Sequence, residues 1–311
     1  MSFFAIFLAL LLEQARPLAA DNPIHAAMQG WVGWVQRTLD AGQHHHAWLA
    51  WLLAVGGPAL LSAAAFWLLA YFSGVLAFVW LVLMLYLTLG FRQFSHHFTA
   101  IREALESGDE AAAREALARW RNVQVDQLPR QELLRHVIEH AVVQAHRHVF
   151  GVLVCFVVLA VVGLGPAGAV AYRLAEYLGR AWGGKVEPVG SEAAQLAAQR
   201  AWYWIDAGPV RATALGFAVV GNFEESVANW RQDARHFSER NDGILLAATS
   251  GAINVRLGGQ PLGSMAPDAA GPVTDGKEPQ LAHLASVVGL VWRSVVLWLL
   301  LLALATFARL V

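Results

Sequence analysis

The stretch 47–90 constrains this chain most: it is an apolar run about twice the length of one bilayer crossing. A hydrocarbon core of about 30 Å takes roughly 20 apolar residues as a helix. Backbone held there must satisfy its own hydrogen bonds. Gly56-Gly57-Pro58 interrupts the run early and Ser73-Gly74 marks its middle, so the spacing predicts a helical hairpin over about 47–70 and 74–91. Composition agrees, since 57% of the 311 residues are hydrophobic and only 14% charged, against about 25% charged in soluble domains. The expected fold is all-α, a polytopic membrane helical bundle of about four to six membrane segments with extramembrane helical segments.

Five stretches divide the chain. Residues 1–91 hold the N-terminal membrane segments, about 2–15, 47–70 and 74–91. The first lacks a basic n-region, and Glu13-Gln14-Ala15-Arg16 follows where a signal peptide needs small residues. It reads as a retained span or a re-entrant segment. Residues 92–147 carry eight Lys/Arg and eight Asp/Glu, with Ala-rich text at 111–119 and Gly108 and Pro129 as punctuation. They predict two or three amphipathic helices outside the hydrocarbon. Residues 148–223 read as interrupted membrane segments, with Gly163, Gly165, Pro166 and Gly168 breaking an apolar run and 179–201 a polar connector. One kinked span, and a span followed by a re-entrant helix, fit the first part equally. The later part, 202–223, contains Asp206, Pro209 and Arg211, so it is a functional span or an interfacial helix. Residues 224–280 are polar, with 260–279 a flexible loop, and 281–311 form a C-terminal membrane helix interrupted by Arg293.

Ionisable groups in such a chain carry information, because one at the bilayer centre costs about 2.5–3.5 kcal/mol even on the lenient scale. Arg147, Tyr172, Arg173, Asp206, Arg211 and Arg293 lie inside or beside apolar stretches. Arg147 and Arg211 stand near span ends, where snorkelling to the interface is an equal alternative. Arg293 lies about a dozen residues into its span, so a buried pairing, with Asp206 as partner, is expected. The single cysteine, Cys155, excludes an intrachain disulfide and reads as a small hydrophobe. A net charge of −1 argues against nucleic acid. His136 and His140 share a helix face at i, i+4, but the text between them is not His-Glu-x-x-His. That pair and the His44-His45-His46 tract are read without a metal. Gly258-Gly259 reads as the C-cap of an apparent helix over 247–257.

Three stretches together resemble the CobD/CbiB cobalamin-biosynthesis membrane proteins and their AmpE-type relatives. Trp230-Arg231-Gln232-Asp233, followed by Asn241-Asp242-Gly243 and Leu257-Gly258-Gly259, looks like the family's Trp-Arg…Asn-x-Gly…Leu-Gly-Gly block. Gly165-Pro166-Ala167-Gly168-Ala169 leading to Tyr172-Arg173 is similar to Gly-Pro-x-Gly-Ala-x-x-Tyr-Arg, and Pro209-Val210-Arg211 to Pro-x-Arg. The resemblance implies a multi-pass protein of the bacterial inner membrane, with the lipid bilayer and a corrinoid as partners. It implies adenosylcobinamide-phosphate synthesis, an ATP-dependent amide formation joining an aminopropanol phosphate arm to adenosylcobyric acid. Tyr172, Arg173, Asp206, Arg211, Trp230, Arg231, Asn241, Gly243, Gly258 and Gly259 are the ligand-binding candidates it supplies; no catalytic residue is assigned. No cofactor is evident from the residues, and ATP and Mg²⁺ follow only if the synthase activity is retained.

The departures support an alternative. The family's Asn-Thr-Leu-Asp run after Tyr-Arg is Glu176-Tyr177-Leu178-Gly179 here, and the paired aspartates before Pro-x-Arg are Trp202-Tyr203. Binding Mg²⁺ and phosphates calls for carboxylates. An AmpE-like membrane sensor or regulator that keeps the fold without the chemistry is therefore the second expectation.

Overall fold

The structure, a computed structural model, describes residues 2–16, 23–40, 42–123, 128–182, 190–237, 240–262 and 271–308. Among them all regular structure is helical: α1 (Ser2–Ala15), α2 (Pro23–Leu39), α3 (His44–Phe72), α4 (Gly74–Thr88), α5 (Phe91–Glu106), α6 (Glu110–Arg121), α7 (Arg130–Ala145), α8 (Gly151–Val161), α9 (Ala167–Ala181), α10 (Glu192–Val220), α11 (Phe223–Asp233), α12 (Arg240–Ile253) and α13 (Leu281–Phe307). A π-helical turn, His146–Phe150, joins α7 to α8. Three helical stretches are long and apolar enough to cross a membrane: His44–Phe72, Arg130–Val161 and Leu281–Phe307. The chain is an all-α membrane protein.

It divides into two compact units, each drawn from separate stretches: Met1–Gln93 with Arg147–Pro209, and Phe94–His146 with Val210–Val311. The chain changes unit after Gln93 in α5, after His146 in the π-helical turn, and after Pro209, which lies inside α10.

In the first unit, α3 runs unbroken through Gly56-Gly57-Pro58, where the sequence suggests an interruption. Pro58 cannot donate to the carbonyl of Ala54. The indole Nε1 of Trp31 on α2 donates to it instead, at 3.1 Å, and so satisfies the acceptor. At the hairpin, Ser73 is extended and its Oγ accepts from the Val75 amide, capping α4. Trp80 Nε1 on α4 donates to the Ser62 carbonyl of α3 at 3.0 Å. The face of α1 formed by Ala5, Ile6, Ala9, Leu10 and Glu13 is buried, a stripe at helical spacing, and α1 packs on α4. Asp40, at the end of α2, accepts from the amide and hydroxyl of Ser191 at 2.7 and 2.5 Å, tying α2 to the start of α10.

Helices α8 and α9 meet through small residues, as membrane helices do when no hydrophobic force separates protein from lipid. A Cβ on Gly168 would overlap the Cys155 carbonyl oxygen, and one on Gly151 would overlap the Tyr172 phenol. The turn between them, with Gly163 and Gly165 at positive φ, breaks the apolar run near the expected position. α9 then packs on both α8 and α3.

In the second unit, Asp109 caps α6 by accepting from the Ala112 amide at 2.9 Å, and Asn122 closes it in the left-handed region. α12 packs closely on α11, and Asn222 caps α11 through the Glu225 amide. α12 ends at Ile253, earlier than the apparent helix over 247–257. Gly258 and Gly259 therefore lie in a loop, both at positive φ, and are not a helix C-cap. Of the expected flexible loop, 263–270 lies outside the described residues. The part after it is ordered by bridges from Val255 to Lys277 and from Gly258 to Val273.

Gly168→Ala is expected to cost about 1–3 kcal/mol by overpacking the α8–α9 contact. Gly208→Ala, whose Cβ meets nothing within 4 Å, should be neutral or gain up to about 1 kcal/mol of helix propensity. Thermal unfolding in detergent checks both.

Candidate functional site

The candidates fall into two clusters, one per unit. In the first, α9 carries Tyr172, Arg173, Glu176 and Arg180, at a spacing that aligns them along one side of the helix. Tyr172 is fully buried, and its hydroxyl donates to Asp206 Oδ1 on α10 at 2.8 Å. Asp206 is 1% exposed. The Tyr172 ring lies 5.2 Å from that of Trp202, over which the Arg147 guanidinium stacks at 5.8 Å. Glu176, 2% exposed, sits between two guanidiniums. Arg173 Nη1 approaches its Oε2 at 3.2 Å, and Arg180 reaches both of its oxygens. Arg147 and His148 are within electrostatic reach of the same carboxylate.

A buried carboxylate can persist as an ion only when paired and hydrogen-bonded, and Glu176 is both. Glu176 was not among the candidates, although Arg173-x-x-Glu176-x-x-x-Arg180 has the i, i+3 and i, i+4 spacing of a helix-surface network. Arg211 belongs to the second unit, on the exposed side of its part of α10. Arg293 is also in that unit and is exposed. Its Nε donates to the Gly289 carbonyl of its own helix at 3.1 Å, which replaces the buried pairing expected for it.

The second cluster is the Trp-Arg, Asn-x-Gly and Gly-Gly block. Trp230 is partly buried and Arg231 exposed. Asn241 is buried in the first turn of α12. A Cβ on Gly243 would press on Phe237 and on the Ala234 carbonyl. Asn229 donates to Ser250 Oγ at 3.1 Å, and that hydroxyl donates to the Asp275 carbonyl at 2.8 Å. The Gly258 amide donates to Glu139 Oε1 on α7 at 2.7 Å, and the Gly259 amide to the Pro272 carbonyl at 2.9 Å. Arg135 holds the same Glu139 at 2.9 Å and donates to the Gln260 carbonyl at 2.7 Å. The Gly-Gly loop is thus fastened to α7, with both amides engaged inside the unit.

The two α7 histidines go to different partners. His136 faces Glu139 at 3.4 Å, while His140 meets Arg121 Nη1 at 3.0 Å and the edge of the Trp120 ring. No three His, Cys, Asp or Glu side chains converge on a metal position among the described residues. Asp233 and Asp275 are a pair that composition does not reveal, because 42 residues separate them. Burial, then the charge of Asp275, push the Asp233 carboxyl above its ordinary range, and its Oδ2 has no hydrogen-bond partner.

Because the Asp233 carboxyl is raised in the folded state, its stability cost is absent below the ordinary aspartate range and grows as pH rises through it. Asp233→Asn should therefore unfold at a higher temperature than the parent at pH 7, with the difference vanishing near pH 3. Tyr172→Phe, which leaves the buried Asp206 one donor short, should cost about 1–3 kcal/mol. Calorimetric scans check both, the first difference being followed from pH 7 to pH 3 and the second read at pH 7.

Comparison with known proteins bears on the whole chain. The family model described as CobD/Cbib protein matches residues 3–307. A protein named "Cobalamin biosynthesis protein CobD" from Stutzerimonas stutzeri (strain A1501) is 30% identical over 266 residues, 84% of this chain and 82% of that protein. One of the same name from Chromobacterium violaceum is 34% identical over 178 residues, 57% of this chain and 55% of its own. No solved structure matches the chain. With the family pattern running from α1 to the end of α13, this chain belongs to the CobD/Cbib protein family.

Proposed function

We propose that this chain acts in cobalamin biosynthesis as a multi-pass protein of the bacterial inner membrane. The proposed step is attachment of the aminopropanol phosphate arm to adenosylcobyric acid. The observation that carries this reading is similarity over four-fifths of both chains to a relative named for that pathway. Amide formation needs a site that excludes water from an activated carboxyl group and holds the amine as a free base. The buried Asp206 carboxylate, oriented by the Tyr172 hydroxyl, is suited to receive the amine's proton. Arg173, 18% exposed at its side chain, is suited to meet an anionic group of a corrinoid or of the phosphate arm.

This chemistry consumes ATP with Mg²⁺, an ion that commonly keeps several waters and takes one or two carboxylates plus phosphate oxygens. In the second unit, Asp233 and Asp275 fit such an ion. The orphaned Oδ2, and the burial and Asp275 charge that raise the Asp233 carboxyl, are what a divalent cation would relieve. When bound it would neutralise phosphate charge.

A second reading, an AmpE-like sensor without synthase chemistry, draws on one specific observation. The groups best suited to grip an anion are already engaged within the chain: the Gly258 amide by Glu139, the Gly259 amide by Pro272, and Arg173 by Glu176.

Complementation separates the two. A strain lacking the synthase and expressing this chain should grow on cobyric acid as well as on cobinamide. Absence of rescue on cobyric acid, with membrane expression confirmed, would overturn the synthase reading. Arg173→Ala should lower rescue by roughly ten- to a hundredfold, the equivalent of a charge-assisted hydrogen bond of about 1.5–3 kcal/mol. Arg37→Ala, exposed on α2, should not.

A further inference from the structure

The last helix shows a change of environment along its length. Its buried residues, Leu284, Val287, Leu290, Val291, Ser294 and Val295, all lie in the N-terminal fifteen positions. There α13 packs in its unit with α7 and α12, helices that carry the ion pairs and the polar block. From Val296 to Ala308 no described residue is buried. Trp298 leans on Gly216, but Val296, Leu300, Leu304 and Phe307 are 56–62% exposed. These thirteen positions, apolar but for Thr306 and none of them buried, need a non-aqueous surrounding.

Trp292 and Arg293 stand at the transition, both exposed. The Arg293 side chain runs back along its own helix, because its Nε donates to Gly289, one turn toward the N-terminus. That is the direction in which side chains of a helix lean, and the direction that carries a guanidinium out of hydrocarbon. From Arg293 to Phe307 the helix rises about 21 Å. With the reach of the Arg293 side chain added, the segment approaches the ~30 Å of a hydrocarbon core. An exposed tryptophan beside an exposed arginine is the pairing found where hydrocarbon gives way to headgroups.

We propose that Trp292 and Arg293 form a contact with lipid phosphate headgroups that sets the bilayer boundary on α13. Residues C-terminal to Arg293 are immersed in acyl chains, and the first three turns of α13 belong to the non-lipid body of the second unit. The span is therefore shorter than the helix, and the Arg293 charge is never moved to mid-membrane.

Spin labels test this on the full chain in vesicles of phosphatidylethanolamine and phosphatidylglycerol, in a Cys155→Ala background. Ala285→Cys, Val296→Cys, Leu300→Cys and Leu304→Cys provide the sites. Oxygen accessibility should exceed that of a water-soluble nickel chelate at 296, 300 and 304, and the order should reverse at 285. A label at 285 as deep as that at 300 would overturn the proposal. So would labels at 296, 300 and 304 shielded from both reagents, the signature of a second protein copy covering the helix. Arg293→Leu should move the crossover toward the N-terminus by about one turn, ~5 Å, whereas Arg293→Lys should leave it in place. An unmoved crossover in Arg293→Leu would remove the assignment to Arg293. The labels in the parent chain decide the boundary even where that variant fails to fold.

Discussion

The first unit depends on the approach of α9 to α8, which glycine alone permits. Gly168 lets the α9 backbone lie against the Cys155 carbonyl, and Gly151 leaves the volume that the Tyr172 phenol fills. Lipid offers no hydrophobic reward for helix association, so this closeness and the hydrogen bonds it allows hold the helices together. Once Tyr172 is seated, its hydroxyl has one direction to go, and Asp206 is there. The polar pair is a consequence of two missing side chains. The same logic operates at α3, where Pro58 creates an unsatisfied carbonyl and Trp31 answers it.

The second unit solves a different problem, since its loop after α12 has little regular structure to hold it. Five backbone bonds between the arms of that loop, from the amides of Arg256, Gly259, Gly271, Thr274 and Lys277, make a narrow strip. Glu139 and Arg135 then fasten it to α7. Arg135 is nearly buried and contacts two glutamates as well as the Gln260 carbonyl. A guanidinium with five donors in a planar fork can serve several acceptors at once, which a lysine at this position could not.

Much of this was legible in the residues and some was not. The apolar run of 47–90, the Ala-rich text at 111–119 and the glycine cluster at 163–168 gave α3, α4, α6 and the α8–α9 turn, because period and length carry that signal. The Tyr172-Arg173 element was visible through resemblance, and its helix is where the buried polar network lies. The continuity of α3 through Pro58 was hidden, because it rests on an indole from another helix. The grip of Glu139 on Gly258 spans 119 positions, and nothing local in either stretch announces it. Arg293 misled for a different reason: counting residues from the start of an apolar run treats the helix and the span as the same object.

The π-helical turn at His146–Phe150 is a place where chain length is buffered. Such a turn holds one residue more than the α-helical turn it replaces, so loss of a single codon there would restore an ordinary turn and leave the direction of the residues that follow. The same loss between Gly151 and Cys155 has no such buffer, because each residue of plain α-helix carries about 100° of rotation. Gly151, which makes room for Tyr172, and the Cys155 carbonyl, which meets Gly168, would then no longer face α9 together. Tolerance to insertion and deletion along this chain is thus set by phase, and an in-frame change that hardly alters composition can still dismantle the site.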